Sequence, residues 1–140
     1  MKDRLELINP PEWAPAKGYS NGALVRGATL YVAGQIGWNA KQEFETDDLG
    51  EQFAQALDNV LTVVRAAGGA PSDVAKMTVY VTDLDAYRAS VRSIGKAWRE
   101  RFGKHFPAMA LVAVSGLLEP RAKVEIETIA ALAEGAPGPA

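Results

Sequence analysis

The strictest pattern in this 140-residue chain is the alternation of apolar and polar residues between Lys76 and Thr82. Met77, Val79 and Val81 fall on one side of this run, and the residues between them are polar or amphipathic. Successive side chains of a strand point to opposite faces, so the run predicts a strand with one apolar face. A sheet built from such strands needs cover on one face only. This requirement constrains the fold more than any other feature of the sequence.

Two segments with helical spacing can supply that cover. Thr46 or Asp47 is predicted to cap the first, which stops at Gly68-Gly69, and Asp83 is predicted to cap the second, which ends at Gly103. The apolar positions of the first segment are Leu49, Phe53, Ala56, Leu57, Val60, Leu61 and Val64, and those of the second are Tyr87, Val91, Ile94, Trp98 and Phe102. Each set forms a single stripe, so both helices are expected to cover the same face of the sheet.

The remaining strands are predicted from shorter runs. Residues 24–26 and 30–33, joined through Gly27-Ala28, are interpreted as a hairpin, and residues 108–114 and 123–131 as two further strands. The predicted order is therefore ββαβαββ, an α+β domain with a sheet and two helices on one face. Residues 1–133 are assigned to this single domain and residues 134–140 to a disordered tail.

The second face of the sheet is predicted to be half polar. It carries Lys76, Thr78 and Tyr80 from the middle strand, and Glu125, Glu127 and Ile129 from the last. Such a face is either exposed to water or forms a seam between subunits, where small-molecule sites often lie. Glu127 is interpreted as structural, with Lys76 or Lys123 as its expected partner.

Composition excludes several kinds of chemistry. The chain has no cysteine, which rules out disulfides, thiolate zinc sites and a cysteine nucleophile. His105 is the only histidine and follows a predicted helix end, where it is expected to interact with the last carbonyls. No serine lies in a nucleophile-elbow pattern and no phosphate loop is present. With one histidine and no carboxylate at ligand spacing beside it, no metal site is expected.

Charge and hydropathy bear on partners and location. The net charge is −2 and the lysines and arginines are scattered, without the basic stripe that nucleic-acid binders use to contact phosphates. The first residues lack the apolar run of a signal peptide, and no segment reaches transmembrane length. We expect a cytoplasmic protein that binds neither nucleic acid nor membrane.

Six stretches, in order and nearly from end to end of the domain, resemble signatures of one family. They are 18–22 (GYSNG), 33–36 (AGQI), 55–60 (QALDNV), 76–82 (KMTVYVT) with Asp83-Leu84, 106–108 (FPA) and 124–127 (VEIE). The chain thereby resembles the Rid family of reactive intermediate deaminases, also called YjgF-like, with RidA as archetype. The resemblance implies a chorismate-mutase-like α+β fold with a mixed sheet, and a homotrimer with a small-molecule site in each inter-subunit cleft. It also implies cofactor-free hydrolysis of enamines and imines to a 2-oxo acid and ammonia.

The resemblance assigns roles to five positions. Glu125 matches the glutamate that positions the attacking water, Tyr19 a tyrosine that reaches the cleft from the neighbouring chain, and Gly34 a pocket-lining glycine. Tyr87 matches an aromatic residue at the pocket mouth. Met109 stands where the archetype has the arginine that clamps the substrate carboxylate, and a thioether cannot form that pair.

Each position also has a purely structural interpretation. Glu125 fits the wet face of a strand, Tyr19 a turn anchor, Gly34 a strand irregularity and Met109 a core or pocket filler. Arg121 and Lys123, in the loop before the last strand, are alternative sources of the missing cation.

Three functions follow from these expectations, in descending rank. The first is hydrolysis of a reactive imine, enamine or related metabolite, with Glu125 holding water and substrate preference altered at Met109. The second is non-catalytic binding of a small metabolite by the same trimer. The third is an endoribonuclease or translation inhibitor, for which the acidic chain lacks an evident acid–base pair.

Overall fold

The computed structural model describes residues 4–134. Its strands are β1 (Leu5–Ile8), β2 (Gly22–Val25), β3 (Ala28–Ile36), β4 (Val74–Val81), β5 (Ala108–Ala113) and β6 (Val124–Leu132). Its helices are α1 (Leu49–Ala66), α2 (Leu84–Ala89) and α3 (Val91–Phe102), with a 3₁₀ turn at Pro71–Asp73. None of the helices in this part of the chain is long and apolar enough to cross a membrane. Most of the predicted tail, residues 135–140, lies outside the described residues.

Four strands form a mixed sheet in the order β3-β6-β4-β5. The β3–β6 and β6–β4 pairs are antiparallel, and β4 and β5 are parallel. A parallel pair needs a crossover connection, which α2 and α3 provide. β1 and β2 form a separate antiparallel pair. The predicted α+β class with a mixed sheet is confirmed.

The core lies between the sheet and the helices, as the alternation predicts. Met77, Val79 and Val81 of β4 are fully buried, and so are Val124 and Ile126 of β6. All seven predicted apolar positions of α1 are also buried. Full burial of such a side chain contributes about 1.5–3 kcal/mol, so this one interface supplies most of the hydrophobic stabilisation of the domain.

The predicted hairpin is wrong. Both strands exist, but β2 pairs with β1, and β3 pairs with β6 at the edge of the four-stranded sheet. Gly27 joins them with a φ of +93°, and a Cβ at this position would lie 2.6 Å from the carbonyl oxygen of Leu132. The chain therefore turns from one sheet into the other at the glycine instead of folding back on itself. β1 has no counterpart among the predicted strands.

The predicted second helix is two helices. Asp83 caps α2 as expected, with its carboxylate accepting a hydrogen bond from the backbone N–H of Ala86. The break falls at Ser90, whose hydroxyl donates to the carbonyl oxygen of Ala86 at 2.8 Å. A serine side chain that bonds the preceding turn competes with helix continuation, which accounts for the break. Val91, just beyond it, is exposed, although the apolar stripe predicted burial.

The first helix begins one residue later than predicted. Asp48 is the cap, and its carboxylate accepts from the backbone N–H of Glu51 at 2.9 Å. The hydroxyl of Thr46 instead accepts from the backbone N–H of Asp48. Thr46 therefore shapes the turn that leads to the cap.

A single buried amide ties the entrance of α1 to the entrance of β6. The fully buried side chain of Gln52 donates to the carbonyl oxygens of Thr46 and Arg121 and accepts from the backbone N–H of Lys123. Gly37 lies so close that a Cβ there would be 2.5 Å from the Cβ of Gln52. Three loop segments are thus fixed around one side chain.

Replacing Gln52 with alanine is expected to destabilise the fold by roughly 3 kcal/mol, because three partly buried hydrogen bonds to backbone groups are lost. Chemical denaturation followed by circular dichroism measures the difference. Gln55→Ala is the matched control on the same helix, since it removes one hydrogen bond to Asn59 and should cost about 1 kcal/mol or less. Equal destabilisation by the two variants would contradict this account.

Candidate functional site

A groove of about 340 Å³ opens between the helices, the loop at Gly18 and the start of β5. Its floor is apolar and continuous with the core. It is lined by Gly18, Phe53, Tyr87, Val91, Ile94, Gly95, Trp98, Arg99, Phe106 and Met109. Such a concave, mostly apolar surface with few polar groups is typical of a small-molecule site.

Met109 lies in this groove because of its register in the sheet. It pairs with Met77, whose side chain is fully buried on the helix side. The Met109 side chain accordingly packs against the hydrophobic core. Tyr87 lines the same groove, and burial raises the pKa of its phenol. Two of the predicted site residues are thus brought together.

Tyr19 is close to the groove but does not line it. Gly18, the residue before it, adopts a φ of +77° and contributes to the wall, while the Tyr19 side chain is 42% exposed. The loop is held beside β5 by a hydrogen bond from the backbone N–H of Ser20 to the carbonyl oxygen of Pro107. Tyr19 is therefore presented to the outside of its own protomer.

Glu125 lies on the other face of the sheet. It alternates with the buried Val124 and Ile126, and its register partners are Ile36 of β3 and Tyr80 of β4. Its carboxyl group lies against Gly34, where an added Cβ would be 2.8 Å from Cδ and Oε1 of Glu125. The β3–β6 register shifts between Val32 and Gln35, next to this contact. Gly34 leaves the space that the half-buried carboxylate occupies.

The two carboxylates of β6 differ in their partners. The Tyr80 hydroxyl donates to Oε1 of Glu127 at 2.6 Å, so Glu127 pairs with neither of the lysines predicted for it. Within residues 4–134, the Glu125 carboxylate has no hydrogen bond or ion pair. Glu125 is consequently the carboxylate of this strand that is available to a ligand or a water molecule.

One protomer does not bring Met109 and Glu125 together. Met109 is on β5 and faces the helices, whereas Glu125 is on β6, two strands away, and faces the uncovered side. The sheet itself separates them. The predicted residues thus form two half-sites, one with Tyr87 and Met109 and one with Gly34 and Glu125.

Neither alternative cation lines the groove. Arg121 donates to Asp47 at 2.9 Å and to the carbonyl oxygen of Phe44, and its guanidinium lies over the Phe44 ring. The Asp47 pKa is lowered chiefly by this hydrogen bond from Arg121. Lys123 lines a separate pocket together with Asp47 and Asp83. The suggestion that Arg121 supplies the missing clamp is not supported by its contacts.

The single histidine has a structural contact. Nε2 of His105 lies 2.7 Å from the carbonyl oxygen of Val74, and its backbone N–H donates to Phe102. Its ring thus reaches the start of β4, beyond the helix end that was predicted for it. No group of three or more metal-ligating side chains occurs among residues 4–134.

Sequence reasoning missed Gly95 and Arg99 at the groove. Both lie on α3, one helical turn apart, and Nη1 of Arg99 would be 3.2 Å from a Cβ added at Gly95. The sequence signal that could have identified them is the glycine within a predicted helix. Glycine destabilises a helix relative to alanine, so its presence there suggests a packing or functional role.

The fold and the groove define a small α+β domain with a ligand-sized cleft at an open sheet edge. The family model described as Endoribonuclease L-PSP matches residues 10–132. The chain belongs to this family, the same one as the Rid or YjgF proteins that its motifs resemble.

Individual relatives support the assignment. The chain is 34% identical to a 2-iminobutanoate/2-iminopropanoate deaminase from Dermatophagoides farinae, over 92% of this chain and 97% of that protein. The crystal structure of the Rid family protein YyfB from Yersinia pestis, of unknown function, superposes with a TM-score of 0.84 at 31% identity, covering 93% of this chain and all of the other. The yjgF gene product of E. coli gives 0.67 at 34% identity, covering 88% of this chain and 92% of the other. The chorismate-mutase-like fold expected from the motifs is confirmed.

The pKa of Tyr80 is expected to depend on Glu127 more than on Glu125. It is raised mainly because the neutral phenol donates to Glu127, while Glu125 contributes only through its charge. Glu127→Gln should lower the Tyr80 pKa towards the ordinary tyrosine value, and Glu125→Gln should lower it less. NMR titration of ¹³Cζ-labelled tyrosine, assigned with Tyr80→Phe, measures both shifts. If Glu125→Gln lowered the Tyr80 pKa more than Glu127→Gln does, the assignment of Glu127 as the hydrogen-bond partner of Tyr80 would be wrong.

Proposed function

We propose that this protein hydrolyses 2-imino acids or their enamine tautomers, with a substrate preference different from that of the small-imine deaminases. The observation that carries the proposal is the Glu125 carboxylate. It is half-buried against Gly34 and unpaired within residues 4–134, in a chain similar to a named imine deaminase. A general base must be within reach of a water molecule and not occupied by another partner, and Glu125 meets the second condition.

The proposed reaction needs little besides positioning. Water adds its oxygen to the electrophilic imine carbon while the Glu125 carboxylate accepts a proton from it. Glu125 returns the proton to the nitrogen of the carbinolamine. The carbon–nitrogen bond then breaks while the hydroxyl proton of the carbinolamine passes to the Glu125 carboxylate, and ammonia and the 2-oxo acid leave; Glu125 finally releases this proton to solvent. A protonated imine is already a good electrophile, so orientation of water and substrate supplies most of the rate gain.

Both half-sites can contribute only if subunits associate. The sheet separates the Tyr87–Met109 groove from Glu125 in one protomer, so a second chain must present its Glu125 to the groove. The uncovered sheet face offers apolar surface for this, with Tyr31 75% exposed and Val112 43% exposed. The proposed assembly is the homotrimer of the family, with one small-molecule site in each cleft.

The protein is expected to be a trimer in solution. Three chains of 14.9 kDa give 44.7 kDa, which light scattering coupled to size exclusion resolves from a monomer. Tyr31→Glu, which places a charge on the uncovered face, should weaken the assembly because the charge must be desolvated on association. Leu118→Glu, on an exposed loop side chain, is the control. A stable wild-type monomer at micromolar concentration would contradict the proposed site.

Met109 supports an altered preference. A small imino acid brings a carboxylate that loses water when it enters the groove, and the thioether offers it no hydrogen bond. A hydrogen bond to a charged group is worth about 1.5–3 kcal/mol, so its absence is a large loss for a ligand with few other contacts.

The ribonuclease function is not favoured by the site. The groove lining contains one arginine and no histidine, and the His105 ring is engaged with the Val74 carbonyl. Binding of RNA depends on several cations that neutralise phosphates.

The wild-type protein is expected to hydrolyse 2-iminopropanoate slowly, and Met109→Arg to raise this activity about tenfold or more, since it restores one charge-assisted pair. The imine is generated in situ by a pyridoxal-phosphate-dependent serine dehydratase, and its decay is followed with each variant added. The gain should vanish in Met109→Arg/Glu125→Gln, where the proton acceptor is absent.

Met109→Leu is the matched control, because it keeps an apolar side chain of similar volume. Arginine in an apolar groove is partly desolvated, so folding and assembly of Met109→Arg must be verified first. A well-folded Met109→Arg trimer without any gain would contradict the assignment of the altered preference to position 109.

A further inference from the structure

Among residues 4–134, Arg99 is the one charged side chain that lines the groove. It lies on α3, and the apolar residues Phe53, Ile94, Trp98 and Phe106 form the surface beside it. An isolated cation at the edge of an apolar cleft attracts an anionic group and leaves the cleft to an apolar one. The charge and the lining together define the kind of ligand that fits.

The Arg99 guanidinium is free to bind an anion. Within residues 4–134 it has no hydrogen bond or ion pair, although the arginines at positions 4, 88, 101 and 121 are each paired with an aspartate. Its neighbour Glu100 interacts instead with Lys96 at 3.8 Å and with Arg101 at 3.7 Å. No carboxylate on its own helix therefore neutralises Arg99.

Gly95 provides a second, independent observation. It precedes Arg99 by one turn and also lines the groove, and a Cβ there would be 3.2 Å from Nη1 of Arg99. The guanidinium therefore lies back along the helix over the glycine. Glycine inside a helix carries a stability penalty relative to alanine, and at this position it leaves the groove open beside the guanidinium.

We infer that Arg99 binds the substrate carboxylate in place of a cation at position 109, and that the substrate is a 2-imino acid with an apolar side chain. The carboxylate lies on Arg99 over Gly95, and the side chain fills the groove beside Met109. This inference rests on the proposed function. In this arrangement the cation that binds the substrate carboxylate lies on helix α3 instead of strand β5. Met109 then contacts the apolar side chain of the substrate.

The test measures binding separately from turnover. The probes are 4-methyl-2-oxopentanoate, a stable product-like acid with an apolar side chain, and its neutral amide, titrated into the assembled wild-type protein by calorimetry. The acid should bind about tenfold or more tightly than the amide, since only the acid forms a charge-assisted pair with Arg99. Its affinity should exceed that for 2-oxopropanoate, which leaves the groove unfilled.

Arg99→Gln should abolish the preference for the acid over the amide and leave binding of the amide within about twofold, and Arg99→Lys should restore part of the preference. Arg92→Gln is the matched control, since Arg92 is also an exposed arginine of α3 but does not line the groove. It should keep the full preference. Comparison of the acid and the amide in wild-type protein, Arg99→Gln and Arg92→Gln separates the energy of the carboxylate–guanidinium pair from the general effect of removing a positive charge.

Gly95→Ala distinguishes a binding role from a structural one. It should raise the Tm by a few degrees because alanine favours the helix, yet weaken binding of the acid by displacing the guanidinium. A merely structural glycine would give the first effect without the second.

The inference is overturned if wild-type protein binds neither probe, if it binds both equally, or if Arg99→Gln retains the preference. Imine hydrolysis is assayed in parallel on the same preparations. Arg99-dependent acid binding without hydrolysis would refute the proposed function alone, and hydrolysis with unchanged acid binding in Arg99→Gln would refute this inference alone.

Discussion

Burial of one sheet face only is the constraint on which the rest of this structure depends. Alternation along β4 and β6 sends Met77, Val79, Val124 and Ile126 into the core beneath α1. The same alternation sends Glu125 to the uncovered side, because adjacent residues of a strand cannot share a face. The two proposed half-sites therefore lie on opposite faces of the sheet. The groove of about 340 Å³ is on one side. On the other side is the Glu125 carboxylate, which has no partner within residues 4–134, so a combined site requires a second subunit.

The sequence was most informative where a local pattern determines the structure. Spacing of three and four residues identified α1 and the face it buries, and alternation identified β4 and its orientation. It was least informative about pairing between distant strands. Nothing near Gly27 indicates that β2 pairs with β1 while β3 pairs with β6, since that choice depends on contacts about one hundred residues apart. The break at Ser90 was also missed, because a single hydroxyl bond to Ala86 changes the helix without altering its apolar spacing.

Only those residues of the candidate site that lie in family-like motifs could be predicted from the sequence. Resemblance singled out Glu125, Gly34, Tyr87 and Met109, and the structure places them in two pairs that are each in close proximity. It could not indicate that Glu127 is occupied by Tyr80, which requires the β4–β6 register. It also could not identify Arg99. An arginine on a helix surface is ordinary, and Arg99 becomes a candidate only because the structure shows it without a partner within residues 4–134 and close to Gly95.

Selectivity in this groove is expected to depend on its rim more than on its floor. Phe53, Ile94, Trp98 and Phe106 belong to or pack against the hydrophobic core, so their positions are fixed by the packing that stabilises the fold. An apolar floor distinguishes ligands by about 1–3 kcal/mol per methylene and tolerates many shapes. A charge at the rim is more discriminating, since a ligand without the complementary group leaves it unpaired. Substitutions at the exposed position 99 are therefore expected to change ligand preference while the core stays intact. Substitutions in the floor, or at Met109 where it packs against the core, would alter stability and specificity together.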